Sequence, residues 1–432
     1  MTLIETASKS GSVEMINQSG TQDVIVIGAG IIGVALAWEL SKSGRQVTLV
    51  DREGPGMGCS WGNAAHFATE QIFPLANGDN LKNLPGYLFR ANSPLTFRKS
   101  SLGSLIPWGV RYLLACRESQ VRRGAAALRA LNERSLSAWQ DLLADVGAAS
   151  LLHTPGTLQL AETRQGALEL EALQRDLSVY GIASTLLNSG EVTELIGALA
   201  PGDYRGLHFP GTAYCNDPYE LLLAVFRACL ARQVRFCQAD VRHLRAVGDG
   251  SVEVETEGGT LTAGAVVICC GVHSKALIER QGYHIPMIAE RGYHMLLPEA
   301  GICPSLPITL HERQFIMTPM NKGVRLAGTV EFARPEDPPT MKRADMLFDQ
   351  ASQLFPSLNA SDATKWMGCR PTLPDYLPVI GRLSRAAGQV FASFGHAHLG
   401  LTQAAISARM LAMLMEGDEP GLDLHPYRVE RF

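Results

Sequence analysis

The feature that most constrains the fold is a glycine-rich turn near the amino terminus, within the segment DVIVIGAGIIG at residues 23–33. A continuous apolar run at residues 24–27 precedes the turn and is typical of a strand buried on both faces of a parallel sheet. Gly28, Gly30 and Gly33 follow with the G-x-G-x-x-G spacing. This spacing predicts a tight turn at the first glycine, approach of a pyrophosphate at the second, and close packing of a helix on the strand at the third.

The residues after this turn predict a dinucleotide site. A helix that begins at Ile31 and Ile32 is expected to end at Gly44, and its first amide groups and its dipole favour phosphate. A second strand, QVTLV, ends at Asp51 beside Arg52, and the Asp51 carboxylate can accept both hydroxyls of a ribose. A glycine-rich turn without a ligand would explain neither the acid nor the spacing. The motif leaves NAD and FAD open.

Composition bounds the class of protein. The chain has 432 residues, of which 46% are hydrophobic and 19% charged, as in a globular protein large enough for two interleaved domains. A formal charge of −4 argues against nucleic acid as the main partner. The nine cysteines are scattered without a C-x-x-C pair, which favours a reduced cytoplasmic compartment. Residues 1–20 lack the pattern of a secretory signal and are expected to form a mobile tail.

Four further segments narrow the choice. They are GMGCSWGNAAHFATEQ at residues 56–71, AVVICCGVHS at 265–274, WMGCRPTLPDYLPVIGR at 366–382 and FGHAHLGLTQAA at 394–405. With them the chain resembles the flavin-dependent D-amino-acid oxidase and dehydrogenase superfamily, most closely its bacterial D-amino-acid dehydrogenase branch, over nearly all residues after Thr21. The resemblance implies FAD and an α/β fold, in which a doubly wound, Rossmann-like FAD-binding domain carries an inserted α+β substrate domain with a mixed sheet.

The resemblance also implies how the chain is divided. The FAD-binding domain would comprise residues 21–86, 210–277 and 369–432, and the substrate domain residues 87–209 and 278–368.

The cofactor residues that the resemblance implies lie in several segments. A loop of small residues after the ribose acid would line the flavin; a plain surface turn is the alternative. The implied contacts are Cys59, Ser60, Gly62, Asn63, Ala64, Ala65, Val241 at the adenine, Gly271, Gly368, Gly395, and the cradle Leu399, Gly400, Leu401 and Thr402. That cradle begins the last helix, whose amide groups and dipole would stabilise negative charge on the flavin.

Arg370 is the strongest candidate for a substrate anchor. It lies in a loop stiffened by three prolines, and its planar guanidinium suits a bidentate bond to a substrate carboxylate. The alternative is a structural salt bridge, with Asp375 as the expected partner.

Three histidines and one tyrosine are further candidates. His66 would lie near the isoalloxazine ring, and His396 or His398 would border the substrate pocket. In the predicted strand AERGYHMLLP at residues 289–298, Tyr293 and His294 point to opposite faces, and Tyr293 is the one expected to face the pocket. A core tyrosine is the alternative. The His-x-His pair lacks the further ligands that a zinc site needs, so no metal site is expected.

The implied reaction serves amino-acid catabolism. A D-amino acid, or a cyclic imino acid such as D-proline or hydroxy-D-proline, would lose hydride to flavin N5, and the imine would give a 2-oxo acid. Because the sequence contains no second nucleotide fingerprint, the electrons would pass to a quinone, a protein or oxygen. An oxygen-using sarcosine- or glycine-type amine oxidase and a non-catalytic dinucleotide-binding subunit are the alternatives. The sequence leaves homo- and hetero-oligomers open.

The segment LIPWGVRYLLACRESQVRRG at residues 105–124 has two interpretations. It is expected to be an amphipathic helix of the substrate domain. It would otherwise be a peripheral contact with the inner face of the cytoplasmic membrane, where quinone is held.

Overall fold

The computed structural model describes residues 22–89 and 93–432, so the predicted tail at residues 1–20 lies outside the described residues. The strands of the described part are β1 Gln22–Ile27, β2 Val47–Asp51, β3 His66–Phe67, β4 Leu95–Phe97, β5 Leu152–His153, β6 Thr157–Ala161, β7 Thr185–Leu187, β8 Arg205–Phe209, β9 Ala213–Cys215, β10 Arg235–Gln238, β11 Val241–Ala246, β12 Val252–Thr256, β13 Gly259–Ile268, β14 Ile288–Leu297, β15 Ile308–Leu310, β16 Phe315–Met320, β17 Gly323–Phe332, β18 Thr364–Thr372, β19 Val379–Arg382 and β20 Val390–Phe394. The α-helices are α1 Ile31–Lys42, α2 Gly78–Phe89, α3 Leu102–Ala115, α4 Glu118–Asp145, α5 Arg164–Val179, α6 Ser189–Ile196, α7 Pro218–Ala231, α8 Ser274–Arg280, α9 Lys342–Leu354 and α10 Gly400–Glu416.

The first sheet is built around β1. Strands β10, β2, β1, β13 and β20 run parallel in that order, with Ile25 of β1 paired to Thr48 on one side and to Val266 on the other. The carboxyl half of β13 pairs with β20, whereas its amino half pairs with the antiparallel strand β12, which continues into β11. The apolar run of β1 is fully buried because both its edges and both its faces are covered.

Helices α1, α4, α7 and α10 cover one face of this sheet. Almost all of α1 is buried because α10 packs against it, with Leu36 and Leu40 in the same apolar cluster as Leu411. Trp139 of α4 donates its indole N–H to the carbonyl of Leu401 at 2.8 Å, which fixes the first turn of α10. The predicted doubly wound α/β domain is confirmed.

The second sheet is mixed, as the sequence predicts. Its strand order is β18-β14-β17-β16-β15-β6-β8-β7, with β4 beside β17. The pairs β15–β6 and β17–β4 are parallel, whereas the other pairs are antiparallel. Helix α9 packs Leu347 and Leu354 into its apolar core. Because β18 runs to Thr372, this sheet extends beyond the boundary at residue 368 expected from the sequence.

Helix α3 lies at the edge of both domains and buries Trp108, whose indole N–H donates to the carbonyl of Thr372 at 3.3 Å. Five apolar side chains of α3 face outward, and their exposed fractions are 45–68%: Leu102, Ile106, Val110, Leu113 and Leu114. Within residues 22–89 and 93–432, no helix has the length and apolar character needed to cross a bilayer. All nine cysteines carry free thiols.

Candidate active site

The glycine turn between β1 and α1 has the steric features of a phosphate cradle. Gly28 has φ +105°, and a Cβ added there would lie 2.6 Å from the carbonyl oxygen of Cys269. A Cβ added at Gly33 would lie 1.9 Å from the carbonyl oxygen of Gly28. At Gly30 the nearest atom would be Ser60 Oγ at 3.3 Å. The backbone therefore requires glycine at the first and third positions, while at the second an added Cβ would meet only the Ser60 hydroxyl.

The Asp51 carboxylate is held at the carboxyl end of β2 by backbone donors. Its Oδ2 accepts from the amide of Ala29 at 2.8 Å, and its Oδ1 accepts from the amides of Glu53 and Gly54. The first amide of α1, on Ile31, donates to Ser60 Oγ at 3.0 Å. The acid and the start of the helix thus meet at one sheet edge, where open α/β sheets bind nucleotides.

The other predicted residues of this edge are only partly covered. Ile32 is half-buried, and Val241 is half-buried where β11 begins. Gly271, with φ +53°, would have no atom within 4 Å of an added Cβ. Arg52 faces solvent and contacts the ring of His273 at 2.8 Å.

A loop at residues 59–65 joins the two domains. Asn63 shapes it, because its Oδ1 accepts from the amide of Ala65 at 2.7 Å and its Nδ2 donates to the carbonyl of Ser60 at 3.0 Å. Ala65 has φ +58°. The ring centroid of Trp61 lies 6.1 Å from that of His294 and 6.0 Å from that of Trp366.

The second sheet holds this loop through its backbone carbonyls. His294 Nδ1 donates to the carbonyl of Gly62 at 2.8 Å, Arg325 Nη1 to that of Asn63 at 2.6 Å, and the Thr318 hydroxyl to that of Ala64 at 2.9 Å. Burial lowers the pKa of Arg325 to about 10, which leaves it charged at neutral pH. These contacts fix the loop between the nucleotide turn and the mixed sheet. No sequence pattern predicts these contacts, since the donors lie far along the chain.

Arg370 lies on the face of the mixed sheet that meets this loop. It pairs with Glu290 across β14 and β18, and its Nη1 donates to Glu290 Oε1 at 3.0 Å. Thr372 Oγ1 donates to Glu290 Oε2 at 3.1 Å. The guanidinium lies over Gly292, where an added Cβ would be 2.3 Å from Nη2. The Arg370 side chain is 25% exposed and that of Glu290 is 4% exposed, so the pair is accessible from the arginine side only.

The prediction that Asp375 would be the ion-pair partner of Arg370 was wrong. Asp375 binds Arg431, with 2.7 Å between Oδ2 and Nε, and Glu290 takes its place beside Arg370. Glu290 is a site residue that the sequence reasoning missed. A signal existed: Glu290, Gly292 and His294 alternate along one strand and therefore share a face.

Tyr293 does not join Arg370. It lies on the opposite face of β14, 1% exposed, where its hydroxyl donates to Glu331 Oε2 at 2.5 Å and accepts from the amide of Thr340 at 3.0 Å. Arg291 on the same face lies 3.2 Å from Glu331. The expectation that Tyr293 faces the pocket was wrong, because its side chain lies on the opposite face of β14 and belongs to the core.

The two histidines before α10 diverge. His396 is buried, and its Nε2 lies 3.0 Å from the hydroxyl of Ser407 within α10. The His398 ring lies 6.3 Å from the ring of Tyr376, and burial lowers its pKa to about 4, with smaller and opposing influences of Glu290 and Arg370. His398 is therefore the one near the arginine. Residues 22–89 and 93–432 bring no three metal-ligating side chains together.

The remaining predicted residues frame the same region. Thr402 Oγ1 accepts from the amide of Ala68 at 3.0 Å, so α10 begins against the loop that follows β3. Leu399 and Leu401 are buried and Gly400 is half-buried. Added Cβ atoms would lie 2.5 Å from Leu373 at Gly395, and 2.2 Å from Trp366 at Gly368. Burial raises the pKa of the Cys59 thiol to about 12, with a further influence of Cys369.

His66 and Glu70 form a buried pair beside this region. His66 Nε2 lies 3.9 Å from Glu70 Oε2, and neither atom has a hydrogen-bond partner. Burial and His398 lower the pKa of His66 to about 4, and burial raises the pKa of Glu70 to about 7. The sequence pointed to His66 but not to Glu70. Because buried polar atoms in native proteins are rarely left unpaired, these atoms mark a place for a partner.

The chain is similar to known proteins over most of its length. The family described as FAD dependent oxidoreductase matches residues 23–414. A D-amino-acid oxidase of Bradyrhizobium diazoefficiens is 34% identical over 418 residues, which cover 95% of this chain and 98% of that protein. A D-amino acid dehydrogenase of Paramagnetospirillum magneticum is 30% identical over 421 residues, 95% and 98% of the two chains. Among solved structures, a glycine oxidase from Geobacillus kaustophilus superimposes with a TM-score of 0.73 at 21% identity, over 96% of this chain and all of that one.

Proposed function

The chain belongs to the FAD dependent oxidoreductase family, and we propose that it oxidises the Cα–N bond of a D-amino acid or of a cyclic imino acid such as D-proline or hydroxy-D-proline. The imine product hydrolyses to the 2-oxo acid. The observation that carries this proposal is Arg370, a partly exposed guanidinium on the sheet face that meets the cofactor loop. Two relatives with 30% identity or more are named for D-amino acids, which supports the choice of enantiomer.

The residues present fit FAD. Gly30 has only the Ser60 hydroxyl beside it, so a pyrophosphate would approach there at the start of α1, and Asp51 would accept the ribose hydroxyls. The loop at residues 59–65 and the start of α10 would border the ring. When bound, the flavin supplies a hydride acceptor at N5.

Arg370 would bind the substrate carboxylate and so orient the Cα–H bond. Its Nη1 is occupied by Glu290, and the rest of its planar fork remains for a second carboxylate. Glu290 holds the guanidinium over Gly292, so little side-chain freedom is lost when substrate binds. With two carboxylates around one arginine, the site favours a substrate that also carries a positive or neutral amino group.

A cluster of apolar side chains near Arg370 would limit the access of water to a bound substrate. Trp108, Phe332, Tyr376 and Ile288 pack in one cluster beside Arg370, and Trp108 stacks on Tyr112 with 5.1 Å between ring centroids. Excluding water strengthens the ionic contacts of the substrate and delays hydrolysis of the imine within the site.

Anaerobic reduction of the bound flavin tests the proposal. Purified yellow protein is mixed without oxygen with a panel of D-amino acids, L-amino acids, D-proline, hydroxy-D-proline, glycine and sarcosine, and loss of the flavin absorbance is followed. Bleaching by D-amino or D-imino acids, with the L-enantiomers inactive, is the expected result. Preferential bleaching by glycine or sarcosine would refute it in favour of the glycine- and sarcosine-type alternative.

We also propose that the electrons pass to a quinone in a membrane that α3 contacts from the surface. The outward apolar side chains of α3, Ile106 and Val110 among them, support this, since such a face binds the interface of a bilayer. Co-sedimentation with vesicles of phosphatidylglycerol and phosphatidylethanolamine should be lost in the Ile106→Lys, Val110→Lys variant. It should persist in Val179→Lys, which alters an apolar side chain that is 82% exposed on α5. Absence of the wild-type protein from the vesicle pellet would refute the contact and leave oxygen or a protein as the acceptor.

A further inference from the structure

Three buried polar side chains with unpaired atoms lie within electrostatic reach of Arg370 or of one another. His398 Nδ1, His66 Nε2 and Glu70 Oε2 are buried, and none has a hydrogen-bond partner. The charges of Arg370 and Glu290 influence the pKa of His398, and His398 in turn influences the pKa of His66. Glu70 Oε2 lies 3.9 Å from His66 Nε2. The three side chains come from two separate segments of the chain, β3 with its following loop and the turn before α10. The electrostatic influence of each group on the next, together with the short distance from His66 to Glu70, links the substrate anchor to a carboxyl group in the interior.

Within residues 22–89 and 93–432, no lysine or arginine is among the groups that shift the pKa of Glu70. Helices α4 and α10 pack against its loop through Asn132, which donates to the carbonyl of Gln71, and through Thr402 and Gln403, which are uncharged. The polar side chains of Gln71 and His66 also lie near it. Desolvation therefore dominates and raises the pKa of Glu70 to about 7. Glu70 can take up or give back a proton near neutral pH, whereas both histidines stay neutral there, since burial keeps their pKa values near 4.

We propose that Glu70 takes up, through His398 and His66, the proton that the ammonium group of the substrate loses on binding. The inference rests on the proposed function, because only an amine with a free electron pair can become an imine. One N–H bond of the ammonium group breaks and its electron pair stays on nitrogen. One O–H bond forms on Glu70. Each neutral imidazole accepts a proton at one nitrogen and donates one from the other, so nothing is oxidised or reduced in this step.

Proton counting with an unreactive ligand tests the relay. The probe is 2-aminoisobutyrate, which carries the carboxylate and the ammonium group but has no α-hydrogen. Its binding to the FAD-loaded protein is followed by calorimetry in buffers of different ionisation enthalpy, which gives the number of protons released to solvent. Well above pH 7 Glu70 is ionised and accepts the proton, so wild type should release almost none. Well below pH 7 Glu70 is already protonated, and wild type should release about one proton per ligand.

Two variants that interrupt the relay should differ from wild type in the number of protons released. Glu70→Gln and His66→Gln should each release about one proton at both pH values, since the acceptor or the connection to it is gone. Glu39→Gln is the matched control, because Glu39 is a buried glutamate of α1 whose pKa burial also raises. It should behave as wild type. Equal proton counts for wild type and Glu70→Gln at the higher pH would overturn the relay.

A second measurement needs no ligand. The infrared difference spectrum between acid and alkaline wild-type protein should contain the carbonyl band of a protonated carboxyl group that titrates near 7, and Glu70→Gln should lack it. Persistence of that band in Glu70→Gln would also overturn the relay. Flavin bleaching by D-amino acids distinguishes a failure of the proposed function from a failure of the relay. Protein that no D-amino acid bleaches contradicts the proposed function, whereas protein that bleaches but shows equal proton counts contradicts the relay alone.

Discussion

Replacement of Arg370 is the most direct test of how the site recognises its substrate. In Arg370→Ala both Glu290 and the ligand carboxylate lose their shared cation in a region where Glu290 is 4% exposed. Removing one partner of a buried, hydrogen-bonded charge pair typically costs about 2–5 kcal/mol in binding. At about 1.4 kcal/mol per tenfold change, the dissociation constant of a carboxylate ligand should rise by roughly 30-fold to 4,000-fold. Arg370→Lys keeps the charge without the planar fork and should lie between wild type and alanine.

Variants of Glu290 separate two contributions to this loss of ligand affinity. In Arg370→Ala part of the effect comes from repulsion between Glu290 and the ligand, so the Arg370→Ala, Glu290→Gln double variant should bind more tightly than Arg370→Ala alone. Glu290→Gln by itself leaves the whole guanidinium to the ligand and should bind a simple carboxylate at least as tightly as wild type. The double-mutant cycle gives the coupling between the two residues.

The assay is titration of the FAD-loaded protein with a carboxylate ligand, followed by the flavin absorbance. Arg431→Ala is the matched control, because Arg431 also binds a carboxylate of the proline-rich segment, that of Asp375 rather than that of Glu290. It should leave the ligand affinity unchanged. The reasoning fails if Arg370→Ala binds the ligand as tightly as wild type, or if Arg431→Ala loses as much affinity as Arg370→Ala.

Three further variants test individual positions. Asp51→Ala should lose FAD during purification, since the ribose hydroxyls lose their acceptor; a full flavin content would contradict the assignment. Gly30→Val should be colourless, because a branched side chain beside Ser60 Oγ fills the space for phosphate, and a yellow protein would place the phosphate elsewhere. Tyr293→Phe should lower the free energy of unfolding by about 1–3 kcal/mol in denaturant titrations, because the amide of Thr340 loses its acceptor and Glu331 loses a donor. Its ligand affinity should equal that of wild type, and a weakened affinity would return Tyr293 to the site.

The sequence predicts what is encoded locally. The turn at Gly28 and the acid at Asp51 lie within one strand–helix–strand unit, where spacing alone determines which atoms meet. The fold class and the dependence on FAD were predicted and are confirmed by the two sheets and the family match. The periodicity of β14 correctly separated Tyr293 from His294, but it could not tell which face meets the cofactor loop.

That choice depends on pairings between distant segments. The register of β14 with β18 places Glu290 opposite Arg370, and no pattern within either strand specifies it. Sequence proximity favoured Asp375 as the partner of Arg370, yet Arg431 at the end of the chain takes that carboxylate. Glu70 was not predicted for a similar reason. An acidic residue after a short strand is expected to be exposed, but α4 and α10 cover Glu70.

The interleaving of the two sheets has a consequence for biosynthesis. Strand β1 leaves the ribosome early, but its neighbour β13 begins at Gly259 and the covering helix α10 begins at Gly400. The loop at residues 59–65 is likewise held by donors as late as Arg325. The edge of β1 that pairs with β13 therefore stays unpaired through more than half of synthesis, although β2 covers the other edge early, and such an open apolar edge is prone to aggregation. The residues that would hold FAD are therefore all present only when α10 has been synthesised, near the end of the chain.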